Sequence, residues 1–201
     1  ILKPDRGIMG QGIEKLRAGD VEDREVLFER CRKTGLLAEQ IITQHGRLNE
    51  VSACVNSVRI NAARDGKGTL CFIGACLKCG ASGAAADNFH SGGIAYPLDM
   101  RTGSVTGPGR NNTEIKDYEY HPGSSVRMPG FTVPHWEAVR ECAAQAMERM
   151  PRIGYAGWDI AVTPEGAELI EGNCRWPGGN IIQLDGIGKY PLIKECLEGV
   201  T

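Results

Sequence analysis

The sequence lacks any excess of positive charge: 23 Lys and Arg against 25 Asp and Glu leave a formal net charge of −2. A general nucleic-acid binder would carry a basic field, so none is expected, and any anion site must be made locally by a few placed cations and backbone amides. No apolar run approaches the roughly 20 residues needed to span a bilayer. The start, Ile1-Leu2-Lys3-Pro4-Asp5, has no apolar signal region and no cleavage site of small residues. It also has no initiator Met and runs at once into a glycine-rich stretch, so it reads as a fragment whose preceding strands are missing. The eight cysteines, at 31, 54, 71, 76, 79, 142, 174 and 196, are scattered through apolar segments rather than set out as a disulfide framework. Reduced thiols in a cytoplasmic protein are the expectation. Cys76 and Cys79 have ligand-like spacing, but on a strand an odd separation sends them to opposite faces, which argues against a zinc site.

What is present is an ordinary soluble composition, 41% hydrophobic and 24% charged, over 201 residues. That length is enough for one good-sized core or two small lobes. Residues 1–19 read as the end of a strand and a glycine-rich loop. Asp20–Thr34 reads as a helix capped by Asp20, with Val26, Leu27 and Cys31 as its apolar stripe and Gly35 as its stop. Leu36–Thr43 is a short apolar strand or crossover segment. Val51–Arg64 and Thr69–Lys78 flank the turn Asp65-Gly66-Lys67-Gly68, a hairpin signal. Ile94–Leu98 and Ser104–Thr106 flank a second turn. Residues 107–131 are rich in Gly, Pro, Asn and Ser and read as a long surface loop. Thr132–Met150 is the clearest helix, and a third hairpin runs Gly157–Thr163 and Ala167–Asn173 before a short helix over Pro191–Leu197. The predicted class is α+β, mainly antiparallel.

The strongest chemical signal is Gly157-Trp158-Asp159-Ile160-Ala161 with Leu169-Ile170-Glu171-Gly172-Asn173. Glu171 and Asn173, two apart on a strand, point to one face about 7 Å apart. A three-residue loop Pro164-Glu165-Gly166 would set Asp159 directly opposite Glu171. A two-residue loop at Glu165-Gly166 would put Asp159 on the other face. In the first register the two carboxylates and one amide suit magnesium that keeps several waters and is bound through substrate phosphates. A generic hairpin would simply turn such a polar face to solvent.

Three further stretches stand out. In Lys3-Pro4-Asp5-Arg6-Gly7-Ile8-Met9-Gly10-Gln11-Gly12, three glycines free backbone amides to approach a phosphate that Lys3 can also reach. No Lys-Ser or Lys-Thr follows, so this is not the Gly-x4-Gly-Lys-Ser/Thr phosphate loop. Arg59, in Asn56-Ser57-Val58-Arg59, and Lys78 on the partner strand would stabilise charge developing on a transferring phosphoryl group, although a solvated strand residue fits Arg59 as well. Asp87-Asn88-Phe89-His90-Ser91-Gly92-Gly93 is a polar loop suited to an acceptor substrate or a phosphate.

Together these pieces resemble the sugar-transfer-associated branch of the ATP-grasp superfamily, from Leu2 to about Glu195. The motifs that carry the resemblance are Leu2-Lys3-Pro4 with its glycine loop, Glu39-Gln40-Ile41-Ile42 with Gln44-His45, Asn56–Arg59, Asp87–Phe89 with Gly92-Gly93, Gly157–Ala161 and Glu171–Asn173. The resemblance implies an ATP-grasp-like fold whose N-terminal lobe, reduced to residues 1–43, is incomplete, with residues 44–201 as the C-terminal lobe bearing the metal site. It implies ATP with one or two Mg²⁺ (or Mn²⁺) ions. Lys3 and the loop of Gly7, Gly10 and Gly12 would meet phosphates; Glu39, Gln40, Ile41, Ile42 and His45 would lie near adenine. Arg59 would touch phosphates or an acyl phosphate, Lys78 would stand beside it, and Asp159, Glu171 and Asn173 would hold the metal. The implied reaction activates a carboxylate as an acyl phosphate for attack by an amine or similar nucleophile, in polysaccharide or cell-surface glycan biosynthesis. The implied partners are small-molecule substrates, with no nucleic acid and no membrane span. A kinase-like phosphotransferase acting on a sugar or polyol, and a truncated nucleotide-binding module without catalysis, are the alternatives.

Overall fold

The computed structural model describes residues 1–6, 12–80, 89, 92–114, 116–175 and 177–198. These form two compact units, Ile1–Ile42 and Thr43–Thr201. In the first, β1 (Leu2–Pro4) pairs antiparallel with β2 (Leu36–Ala38), and α1 (Arg24–Thr34) lies between them in sequence. The helix starts later than the sequence suggests. Residues 18–20 form a 3-10 turn, so Asp20 cannot cap α1. Asp23 does, its Oδ1 accepting from the backbone N–H groups of Glu25 (2.8 Å) and Val26 (3.1 Å). Gly35, with φ of 63°, ends α1 in the left-handed conformation, as expected. The stripe is narrower than predicted: Leu27 and Cys31 are half-buried, but Val26 is exposed.

The second unit is built on a five-stranded antiparallel sheet of order β5-β4-β3-β6-β7, which makes the chain α+β. Its strands are β3 (Ser57–Arg64), β4 (Leu70–Cys79), β5 (Ile94–Leu98), β6 (Tyr155–Thr163) and β7 (Gly166–Asn173). Strand alternation decides which side each residue serves. Val58, Ile60 and Ala62 of β3, Leu77 and Cys79 of β4, Tyr96 of β5 and Trp158, Ile160 and Val162 of β6 form one apolar core. α3 (Trp136–Arg149) closes that core with Val139, Ala143, Ala146 and Met147, all on one stripe of the helix. Each fully buried Ile or Leu there contributes about 1.5–3 kcal/mol. The opposite sheet face carries Ser57, Arg59 and Asn61. It is partly covered by the 3-10 turn Ile181–Gln183 and by α4 (Tyr190–Glu198).

Three expectations change here. Val51 does not open a strand: it is buried just after the short α2 (Gly46–Asn49), and β3 begins at Ser57. Thr132 does not cap α3. Its hydroxyl pairs with that of Ser104 (3.0 Å) in a bridge between the two residues, and the helix begins at Trp136 after His135 turns left-handed. Residues 107–131 are not a loose surface loop. Tyr118, Met128 and Phe131 join the main core, and bridges join Gly109 to Tyr118 and Tyr120 to Arg127. Buried His121 bonds through Nε2 to the Gly80 carbonyl (2.9 Å).

The thiols also depart from the fully reduced expectation. Cys71 on β4 and Cys196 on α4 are joined as a disulfide, with Cα atoms 6.3 Å apart at a sequence separation of 125. Periodicity could not reveal the pair, because it depends on where α4 folds back. Cys76 and Cys79 do fall on opposite faces, Cys79 in the main core and Cys76 beside Phe89, Ala95 and Ile181. Cys196 is the only buried residue of α4, so the link anchors that helix. Closing so long a loop stabilises the chain by up to about 4–5 kcal/mol. Melting with and without reductant is therefore expected to show a fall of roughly 10 °C on reduction. Cys196→Ser should melt like the reduced chain and be insensitive to reductant. Eight reactive thiols in the denatured, unreduced chain would contradict the link.

Candidate active site on the polar sheet face

The polar face is assembled by register. Across β3 and β6, Arg59 pairs with Asp159 and Asn61 with Gly157; across β6 and β7, Asp159 pairs with Glu171 and Gly157 with Asn173. Ser57 stands opposite Lys78 across β3 and β4. Five of the residues singled out from the sequence, Arg59, Lys78, Asp159, Glu171 and Asn173, therefore share one face.

The β6–β7 turn reaches this arrangement by a route that neither expected register described. The loop has two residues, Pro164 and Glu165, because Thr163 pairs with Gly166. Left alone, that register would turn Asp159 and Glu171 to opposite faces. An irregularity between Asp159 and Ile160 shifts the ladder by one residue on β7, skipping Ile170 and restoring the pairing of Asp159 with Glu171. The bulge lies beside the site, where it re-aims the end of β7.

At the centre is a buried charge cluster. Arg59 donates from Nε to Asp159 Oδ1 and from Nη2 to Oδ2, both at 2.6 Å, a two-pronged pairing. Lys78 Nζ lies 3.2 Å from the same Oδ2. All three residues are under 10% exposed. Burial alone would push the Asp159 carboxyl upward, but the hydrogen bonds from Arg59 and the charges of Lys78 and Arg59 outweigh it and hold it below its ordinary value. Burial likewise works against the Arg59 cation, and Asp159 more than restores it, leaving Arg59 raised.

The backbone of residues 177–178 covers Arg59. Its Nη1 donates to the Pro177 carbonyl at 3.0 Å. A side chain at Gly157 would collide with that carbonyl, and one at Gly178, where φ is 74°, would collide with Nη1. The motif glycines thus admit a tight backbone clasp over the guanidinium. The Gly157 segment stands out in the sequence, but sequence reading missed its contact with Pro177 and Gly178, which depends on the chain returning after β7. It also missed Tyr155, whose hydroxyl accepts from Asn61 Nδ2 at 2.8 Å beside Arg59.

Glu171 is exposed and accepts from Asn173 Nδ2 at 3.2 Å. A carboxylate and an amide oxygen side by side, facing solvent next to Asp159, form an oxygen donor set that suits a magnesium ion keeping its waters. Among the described residues no three His, Cys, Asp or Glu side chains gather as a metal cage. The donor set fits a metal shared with a substrate, not one enclosed by protein.

The remaining candidates lie elsewhere. In the first unit Lys3 Nζ is 2.6 Å from Glu39 Oε1, so a phosphate candidate and an adenine candidate hold each other. Gly12 takes a left-handed conformation with φ of 75°; Gly7 and Gly10 lie outside the described residues. Gln40 and Ile41 are exposed and Ile42 is half-buried. In the second unit His45 caps α2, its Nδ1 accepting from Arg47 N–H, and its ring lies edge-on to His135. Asp87, Asn88, His90 and Ser91 fall outside the described residues, while Phe89 packs against Cys76, Ala95 and Ile181.

The family model described as sugar-transfer associated ATP-grasp matches residues 30–195. The chain belongs to that family. The match spans β3 to β7, so every member of the polar face sits inside the ATP-grasp region. Searches of curated proteins and of solved structures found no match. Membership in the ATP-grasp family carries ATP-dependent chemistry of the ligase or transferase type. Among the described residues, no helix is long and apolar enough to cross a membrane.

The buried cluster makes a pH-dependent contribution to stability. Because the folded Asp159 carboxyl titrates below its unfolded value of about 3.9, its contribution is complete above that value and is lost as pH falls through the folded one. Asp159→Asn leaves the buried Arg59 guanidinium without the carboxylate that pairs with it and is expected to cost about 3–5 kcal/mol at pH 7. Denaturant titrations should show the difference from wild type shrinking below about pH 4. A difference that stays constant from pH 7 to pH 3 would contradict the charge account.

Proposed function

We propose that this chain supplies the ATP- and magnesium-dependent machinery of a ligase. A carboxylate oxygen attacks the γ-phosphorus of ATP, ADP leaves, and an acyl phosphate forms. An amine or similar nucleophile then attacks the carbonyl carbon and releases inorganic phosphate. The observation that carries this reading is the pair of buried cations, Arg59 and Lys78, on the same sheet face as the Glu171–Asn173 oxygen pair. Phosphoryl transfer demands little of a protein beyond positioning and charge neutralisation, and this face offers cations beside a cation-binding edge.

In this reading Glu171 and Asn173, with Asp159 beside them, hold magnesium, which when bound neutralises phosphate charge. Arg59, fixed by Asp159 and the Pro177 carbonyl, and Lys78 meet the transferring phosphoryl group and then the acyl phosphate. Lys3, the Gly7–Gly12 loop, Glu39–Ile42 and His45 are assigned to the nucleotide. The family's sugar-transfer association favours polysaccharide or cell-surface glycan biosynthesis.

Incubation with Mg²⁺-ATP and a panel of acids is expected to give ADP together with a hydroxamate when hydroxylamine is present. A stable phosphate ester on a sugar or polyol, formed with no second substrate, would contradict the ligase chemistry. Glu171→Ala should abolish magnesium-dependent ATP binding with an unchanged circular dichroism spectrum, and an unaltered titration would remove Glu171 from the metal site.

A further inference from the structure

We infer that Asp159 is a shared carboxylate: it is the internal counter-ion of Arg59 and Lys78, and it yields those cations to phosphate when a divalent cation binds at Glu171 and Asn173. The inference rests on the reading of the site given above. It concerns what the free protein does with its cations before any nucleotide arrives.

Position makes the exchange available. Asp159 is the direct cross-strand neighbour of Arg59 on one side and of Glu171 on the other. Opposed residues stand about 4.5–5.5 Å apart, close enough for one carboxylate to serve either side. In the structure it serves Arg59 and Lys78. Its two oxygens accept Nε and Nη2 of Arg59, with Lys78 Nζ sharing Oδ2. Three of roughly four acceptor positions on the carboxylate are thus in use.

Charge supplies the competition. Among the described residues the Asp159 carboxylate stands between two buried cations, so a phosphate entering this face meets cations that already have an anion. The Asp159 carboxylate is a built-in competitor for the same donors. A divalent cation settling beside Glu171 draws on that carboxylate and repels Lys78 and Arg59 at short range. Arg59 is not lost to solvent when Asp159 turns, because its Nη1 stays bonded to the Pro177 carbonyl under the Gly157–Gly178 clasp. Cation binding at one edge of the face is thereby coupled to phosphate binding at its centre, and by linkage the coupling runs equally in both directions.

Calorimetric titration of ATP into the full chain, once in EDTA and once in Mg²⁺, tests this with Asp159→Asn and Glu171→Gln. Removing the internal anion should tighten metal-free ATP binding about tenfold, within the range usual for coupled sites. Both variants should lose most of the gain that Mg²⁺ gives. Metal-free affinity that is unchanged or weaker in a folded Asp159→Asn variant would overturn the inference, leaving Asp159 a metal ligand only. A wild-type measurement covers a variant that fails to fold: on adding Mg²⁺ alone, the Arg59 Nε–H resonance should shift, and it should not shift in Glu171→Gln. A resonance that stays in place in wild type would overturn the inference. A wild-type chain that binds no ATP under either condition would contradict the functional reading, and the Mg²⁺-only resonance would then decide the exchange by itself.

Discussion

The polar half of this protein depends on one buried ion pair, Arg59 with Asp159, joined by Lys78. Taking such charges out of water costs several kcal/mol each, and a well-packed apolar replacement would serve stability as well or better. The cost is offset here by a two-pronged geometry and by the Pro177 carbonyl on the remaining guanidinium nitrogen. Over Arg59 the cover is the backbone of residues 177 and 178. The sheet beneath is a conventional antiparallel core, and the charged cluster sits on the face the core does not use.

That cluster also explains the local sequence. Gly157 lies two residues before Asp159 because the Pro177 carbonyl must reach Arg59 over it, and Gly178 follows Pro177 for the same reason. The irregularity in β7 sets Glu171, rather than Ile170, across from Asp159. Each feature is weak by itself. Together they bring Asp159, Arg59, Lys78 and the Glu171–Asn173 pair to one sheet face.

How far the sequence could be read depended on the range of the interaction. The turn at residues 65–68 joins β3 to β4 as expected, and alternation along Ser57–Arg64 sets Val58 and Ile60 on the face opposite Arg59 and Asn61, because turn chemistry and strand period are local. Helix ends were less legible. Asp20 and Thr132 are good capping residues, but each is engaged elsewhere, one in a 3-10 turn and one in a bridge to Ser104. The partnership of Asp159 was beyond reach. Its carboxylate read as a metal ligand beside Glu171, while its closest neighbours, Arg59 and Lys78, lie on strands 100 and 81 positions earlier. The disulfide was hidden for the same reason, since nothing local to Cys71 or Cys196 announces the other.

The central claim is that Arg59 and Asp159 act as one energetic unit organising this face. A double-mutant cycle on stability, with Arg59→Met, Asp159→Leu and the double variant, tests it most directly. A coupling energy of about 2–3 kcal/mol is expected, the double variant losing that much less stability than the sum of the two single losses. Additive losses, with coupling below about 0.5 kcal/mol, would contradict it.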